Sequence, residues 1–421
     1  MINKLKNIES KNLILIKNTV MLYILQFSSY LFSFITVPYQ TRVLGPEIYG
    51  VLGFATAIMV YFQLFMDFGF LMSATEDISK NREDKEYVCK KLTSITIIKF
   101  IFGIFSLLIM TVLIFAVPKF SAHKTLYIIY LLAYAVNSFL PDYVYRGIEN
   151  MTAVTIRTVA VKFLFCVMTF IFLQRKEDYL VVPILLLVGN VIAVLFAYSH
   201  LFKTFKYHFS KVSAKQVFAD FKRSSIFFYS RIASTVYSAT NTVILGFVDT
   251  AGLITGYYSS ADKIVTTAKN GMSPISDSLY PYMVKNRDFG PAKKILTVIM
   301  IPIILGCIGV GIFAEPLCIF AFGKEFADTA NILRAFLPTI AVILPSYIFG
   351  FPMMGALGIS KYANYSVFVA TGVHICGIAI LALTGNITGI TLAGMTSISE
   401  WTIFLYRAIV IYKHRHLMKK G

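Results

Sequence analysis

The sequence predicts an all-α polytopic membrane protein of about twelve transmembrane helices arranged as two six-helix lobes. Three observations carry this. Of the 421 residues 57% are hydrophobic and only 14% charged, which is not the composition of a soluble domain. The apolar residues fall in runs of about 20, the length at which a helix crosses the hydrocarbon core, whereas barrel strands would be short and alternating. Lys and Arg, finally, gather in the short segments between runs, and this distribution reports topology.

Span one, 19–38, follows a stretch in which Leu5, Ile8, Leu13 and Ile16 alternate with Lys4, Lys6, Lys11 and Lys17, an interfacial pattern. No small-residue cleavage site follows, so the run is read as a retained first helix. Span two, 51–72, begins beyond a glycine-bearing loop. Span three, 92–117, carries Lys99; span four is 125–145; span five, 151–173, carries Arg157 and Lys162; span six is 180–202. A basic stretch, 203–225, places Val212, Val217, Phe218 and Phe221 at near-helical spacing and reads as an amphipathic interfacial linker. A solvated loop is the alternative. Span seven, 226–247, opens near Arg231, and span eight, 252–283, is the least regular, with Pro274 and Pro281. Spans nine to twelve are 292–314, 327–350, 359–383 and 388–412.

The domains expected are therefore an N-terminal lobe, 1–202, the linker, 203–225, and a C-terminal lobe, 226–421. Placing the N-terminus inside, and counting Lys293, Lys294 and Lys361 at the starts of spans nine and eleven with the adjoining loops, puts 25 Lys and Arg on the cytoplasmic side against 6 outside, so both termini are expected in the cytoplasm. A short internal echo agrees with two halves: TRVLG, Gly50, Gly53 and FATA after span one, and NTVILG, Gly252, Gly256 and YYSSA after span seven.

Ionisable side chains inside spans are the candidates for function, because a charge at bilayer depth is costly and faces a bundle interior or a wet cavity. At about 1.5 Å per residue, Arg157 lies about 9 Å and Lys162 about 17 Å along span five, pointing about 140° apart. Lys263 lies at mid-depth beside Asp262. Lys99, Arg231, Arg334 and Arg407 lie nearer a membrane face and have the option of snorkelling. Asp262 and Glu400 are the candidates for ion coupling, since desolvation can bring a carboxylate's protonation into the neutral range. Asn241 and Thr242 offer side-chain oxygens in span seven, either to a small cation or to a polar helix contact. An interior richer in cations than in acids points to an anionic passenger.

Several classes are set aside. The net charge of +18 resides mainly in loops and does not indicate nucleic acid. The five cysteines lack CxxC spacing and read as packing residues, with no metal site or disulfide framework. There is no Walker loop, HExxH or GxSxG motif, and the six histidines are scattered, so neither an enzyme nor direct ATP drive within the chain is expected.

The runs PYQTRVLGPEIYG (38–50), MDFGF (66–70), YRGIENM (145–151), YSRIASTVYSATNTVILG (229–246), GYYSSADKI (256–264) and SPISDSLYPYM (273–283) resemble the bacterial polysaccharide-biosynthesis flippases of the Wzx type, in the multidrug/oligosaccharidyl-lipid/polysaccharide (MOP) exporter superfamily. The resemblance implies a MATE-like V of two lobes around a central cavity, in the bacterial cytoplasmic membrane. It further implies translocation of an undecaprenyl-diphosphate-linked oligosaccharide repeat unit to the outer leaflet by alternating access, with no cofactor and with proton or sodium coupling. Sugar transferases and a polymerase of the same pathway are the implied partners, and the products would be O-antigen, capsule or exopolysaccharide. On this reading Lys162, Lys263, Arg157 and Arg231 receive the diphosphate, Lys162 and Lys263 from a shared cavity. Arg42 matches a recurrent family position and is also placed to steady its turn through Glu47. The second reading is a cation-coupled multidrug exporter of the same superfamily, for which a more acidic cavity is expected; a membrane-embedded glycosyltransferase or polymerase is the third.

Overall fold

The computed structural model describes the backbone of residues 2–420 and the side chains of 17–417, except those of 230, 233, 234 and 236–238. The side chains of the interfacial pattern at Leu5, Ile8, Leu13 and Ile16 lie outside the described residues. The described residues form helices and short connections, with no strand among them. Two compact units result, one of Met1–Val43 with Ala55–Thr235, the other of Leu44–Phe54 with Val236–Gly421.

The first unit holds most of α1 (Ile2–Asp67), then α2 (Phe70–Lys80), α3 (Lys85–Ala116), α4 (Pro118–Ala122), α5 (Lys124–Ser138), α6 (Asp142–Gly147), α7 (Met151–Phe172), α8 (Val181–Lys203) and the beginning of α9 (Ala214–Val248). Spans one and two are two helical segments of α1 that meet at a kink at Gly45, where φ is 71° and ψ 170°, non-helical values that glycine reaches without a Cβ clash. The bend at Phe68 and Gly69, with φ of 39° and 78°, separates α1 from α2. Helix starts are capped from the sequence: Asp84 accepts from the Tyr87 amide at 3.0 Å, and Asn150 from the Ala153 amide at 3.4 Å. Span four is interrupted at Pro141, between α5 and α6.

Of the apolar residues singled out in the basic stretch after α8, Val217 and Phe221 pack into this unit, while Phe218 is exposed. Phe68 stacks on Phe221 at 4.8 Å and on Phe228 at 4.4 Å, and Val217 joins the same core. Beside them Lys91 is buried between Asp77 (2.8 Å) and Asp220 (2.5 Å), and Arg223 reaches Asp77 at 2.6 Å.

The second unit holds the rest of α9, α10 (Leu253–Asn286), α11 (Gly290–Ile312), α12 (Ala314–Phe322), α13 (Thr329–Phe349), α14 (Phe351–Ala356), α15 (Lys361–Leu383) and α16 (Gly389–Lys413). α13 packs along α10, α11 and α16, while α15 packs on α16. Span eight, expected to be irregular, is one continuous helix through Pro274 and Pro281. The two prolines are seven residues apart, so the lost N–H donors fall on one face. The Asp249 carboxylate closes the start of α10, accepting from the amides of Gly252 (3.0 Å) and Thr255 (2.8 Å) and the Thr255 hydroxyl (2.9 Å).

The echoed glycines meet inside this unit. A Cβ at Gly50 would lie 1.8 Å from the Gly252 carbonyl oxygen, one at Gly256 would lie 1.9 Å from that of Pro46, and one at Gly53 would press on Ser259. Only hydrogen fits at these positions, so the segment 44–54 lies backbone against backbone on the first turns of α10.

All twelve spans read from the sequence fall on helices. Seven described helical stretches are long and apolar enough to cross a membrane: Lys17–Lys80, Lys85–Ala116, Met151–Phe172, Lys176–Lys203, Gly290–Ile312, Thr329–Ala356 and Lys361–Leu383. The chain is a multi-pass membrane protein.

Candidate functional site: a cationic cavity in the first unit

A cavity of about 380 Å³ opens within the first unit, walled by α1, α5, α7 and α8. From α1 come Ser29, Ser33 and Thr36, three and four residues apart and therefore on one face, with Gln63 from the far part of the helix. Asn137 and Asn190 come from α5 and α8. Gly189 lets α8 approach α7 closely, since a Cβ there would meet Val161 at 3.0 Å. Both cations predicted on span five line this space.

The 140° between Arg157 and Lys162 is the width of one lining face rather than a divergence. Val161, Phe165 and Thr158 fall between them on the helical wheel and line the same cavity. Arg157 is 4% exposed; its Nη2 donates to Asp142 Oδ1 at 2.7 Å, while its buried Nε has no hydrogen-bond partner. Lys162 is half-buried and donates from Nζ to Ser29 Oγ at 2.6 Å, and Ser29 in turn donates to the Leu25 carbonyl. No described Asp or Glu lines the cavity. Hydroxyls, amides and two cations in a carboxylate-free wall form a surface for a negatively charged, oxygen-rich group.

A second cluster in the same unit uses the acids. Lys99 is buried, donates to the Ser138 carbonyl, lies 3.9 Å from Asp67 and stands over the Tyr143 ring at 5.5 Å. It turns inward instead of snorkelling, because these three partners offset its desolvation. Arg231 is half-buried, within electrostatic reach of Asp67.

The remaining predicted residues are not in this cavity. Arg42 is exposed near the end of the first unit's opening segment. In the second unit Lys263 is exposed on α10 and Asp262 is half-buried, 3.4 Å from the Thr266 hydroxyl. Glu400 is buried and paired at 2.6 Å with Lys269, a residue not singled out from the sequence. Arg334 donates to the Gly311 carbonyl at 3.0 Å. Arg407 is buried and donates to Ser366 Oγ (2.9 Å) and to the carbonyls of Ser346 (2.7 Å) and Ala363 (3.3 Å), which explains it without the membrane face.

Asn241 is the centre of a buried polar network. Its Nδ2 donates to Tyr258 OH (3.0 Å), Thr396 Oγ1 (2.8 Å) and the Leu392 carbonyl (3.2 Å). Its Oδ1 faces Nε2 of the fully buried His374 at 3.0 Å, and His374 Nδ1 faces Ser399 Oγ at 2.9 Å. The sequence reading passed over His374 because it weighed intramembrane Lys, Arg, Asp and Glu. A histidine in the middle of span eleven carries the same signal.

Comparison with known proteins agrees with this architecture. The chain is 25% identical over 348 residues to an Escherichia coli (strain K12) protein named "Putative O-antigen transporter", covering 80% of this chain and 83% of the relative. A protein of the same name from Shigella dysenteriae is 24% identical over 365 residues, covering 85% and 91%. Among solved structures, an inward-facing multidrug resistance MATE family transporter of the MOP superfamily superposes with a TM-score of 0.67 at 15% identity, over 95% of this chain and 99% of that one. The lipid II flippase MurJ in an inward closed conformation gives 0.66 at 15% identity, over 94% and 87%. The chain thus shares the fold of these two transporters. The model of the polysaccharide biosynthesis protein family matches residues 15–287, well over half of the chain, and with the Wzx-type motifs falling in that range, the chain belongs to the polysaccharide biosynthesis protein family.

Proposed function

We propose that this protein is a flippase that carries an undecaprenyl-diphosphate-linked oligosaccharide repeat unit from the inner to the outer leaflet of the bacterial cytoplasmic membrane, by alternating access, for O-antigen, capsule or exopolysaccharide assembly. The observation that supports this most is the carboxylate-free cavity bearing Arg157 and Lys162. A drug exporter for organic cations would want the opposite charge there. The names of the curated relatives and the likeness to a lipid II flippase support the same class of passenger.

At about 380 Å³ the cavity lies toward the lower end of the range for small-molecule sites. It suits a diphosphate group rather than a whole glycan. Lys162 supplies a charge that a phosphate can share with Ser29. Arg157 supplies an unused Nε donor while Asp142 holds the other side of its guanidinium. The glycan would travel in the aqueous space and the polyprenyl chain in lipid. Coupling to a proton or sodium gradient belongs to the same proposal.

Replacing Lys162 by Ala removes a charged hydrogen bond, on the order of 1.5–3 kcal/mol or roughly tenfold to a hundredfold in affinity. Surface polysaccharide in a strain deleted for this gene should be restored by the wild-type chain and not by Lys162→Ala at equal membrane abundance. Full restoration by Lys162→Ala would remove the cavity from the substrate path.

A further inference from the structure

We propose that His374 is the proton-carrying site of the transport cycle, the imidazole taking a proton at Nδ1 inside the second unit. This rests on the reading of the chain as a gradient-coupled transporter. It moves the coupling ion away from Asp262 and Glu400.

The hydrogen bonds determine which nitrogen can change state. Asn241 Nδ2 lies 3.2 Å from the Leu392 carbonyl, an oxygen that only accepts, so the amide can be oriented one way only and its Oδ1 must face His374. Nε2 therefore keeps its hydrogen in every state. Nδ1 faces Ser399 Oγ, whose hydroxyl also lies 2.8 Å from the Met395 carbonyl. With the imidazole neutral, the Ser399 hydroxyl donates to Nδ1. When a proton binds the Nδ1 lone pair, Nδ1–H donates to Ser399 Oγ and the hydroxyl hydrogen turns to Met395. One rotation of a hydroxyl accommodates the charge, no bond breaks, and the protonated form holds one hydrogen bond more than the neutral form. The same geometry disfavours sodium, because the Asn241 oxygen that a metal ion would need is occupied by Nε2–H.

Position and surroundings fit this role. His374 lies thirteen residues into α15, about 20 Å along a helix of some 35 Å, so it sits near mid-membrane. The helices around it present few competing charges. On α10, Tyr258 reaches it through Asn241, while Asp262, Lys263 and Lys269 lie on later turns. On α16, Glu400 follows Ser399 but is held by Lys269, and Arg407 is taken up by Ser366 and two carbonyls. On α9 the nearest charged residues are Arg231 and Asp249, ten residues before and eight after Asn241, and α14 carries none.

The chain contains its own reporter. Trp401, its single tryptophan, lies two residues after Ser399 on α16 and donates to the Pro338 carbonyl at 3.0 Å. Full-length protein in phosphatidylethanolamine/phosphatidylglycerol vesicles should show a one-proton transition in Trp401 emission on titration with acid. Glu400→Gln should keep that transition, and His374→Asn should lose it. Ser399→Ala removes the acceptor of Nδ1–H and so destabilises the charged form, which should lower the midpoint by about one pH unit. A transition that persists in His374→Asn, a Ser399→Ala midpoint that does not move, or emission that follows sodium chloride at constant pH with no response to acid would overturn the proposal. No transported lipid enters this titration, so its result is independent of the flippase assignment, which the deletion strain tests separately.

Discussion

Arg157 and Lys162 show what a single helix can and cannot reveal. Their depth was legible from position in the run, and so was the need for an interior environment. Their shared cavity was not, because its other walls are Ser29, Gln63, Asn137 and Asn190, small polar residues that no one-dimensional pattern marks as converging. The same applies to Lys91, which in sequence is one of several loop-flanking cations and in space is closed between Asp77 and Asp220 at 7–9% side-chain exposure. Lys91→Met would leave Asp220 buried without its cation beside Asp77, which would then rest on Arg223. Breaking such a buried cluster costs about 3–5 kcal/mol, so the thermal midpoint of the detergent-solubilised protein should fall clearly. Adding Asp220→Asn should recover part of the loss. An unchanged midpoint in the single variant would show the cluster to be solvated.

Among the elements, the spans were legible because apolar length is a direct physical requirement of the bilayer. The joints between them were less so. The glycine-bearing loop expected between spans one and two is reduced to a kink at Gly45, and the prolines of α10, read as a mark of irregularity, lie in a helix that continues through both. The glycines of the internal echo are informative in a way the echo itself did not convey, since Gly50, Gly252 and Gly256 are spaced for contact as well as for ancestry. Gly50→Ala or Gly256→Ala would drive a methyl group into a carbonyl, an overpacking cost of at least 1–3 kcal/mol. Membrane-inserted yield should drop for both. Gly306→Ala, in α11 with nothing within 4 Å, should be neutral or stabilising by about 0.5–1 kcal/mol. Equal yields for all three would mean that the close approach is not needed.

For the whole molecule, the charge distribution gives an expectation of orientation that the helices alone do not. The bias of Lys and Arg predicts that the 81–84 and 205–213 connections face the cytoplasm and the 384–388 connection the outside. Single cysteines introduced at Asn386 and at Arg82 of a cysteine-free variant should differ accordingly. In intact cells an impermeant maleimide should label the first and spare the second, and the reverse pattern would invert the topology.

The assignment of Leu44–Phe54 to the second unit has a consequence for biosynthesis. This strip of eleven residues leaves the ribosome before the α10 turns it packs on, which are encoded about 200 residues later. At about 5–20 residues per second it waits on the order of 10–40 s for them. During that interval its bare glycine face is open to any passing helix. Truncated chains ending before Leu253 should therefore be captured by membrane quality control, and supplying the missing half as a separate polypeptide should rescue them.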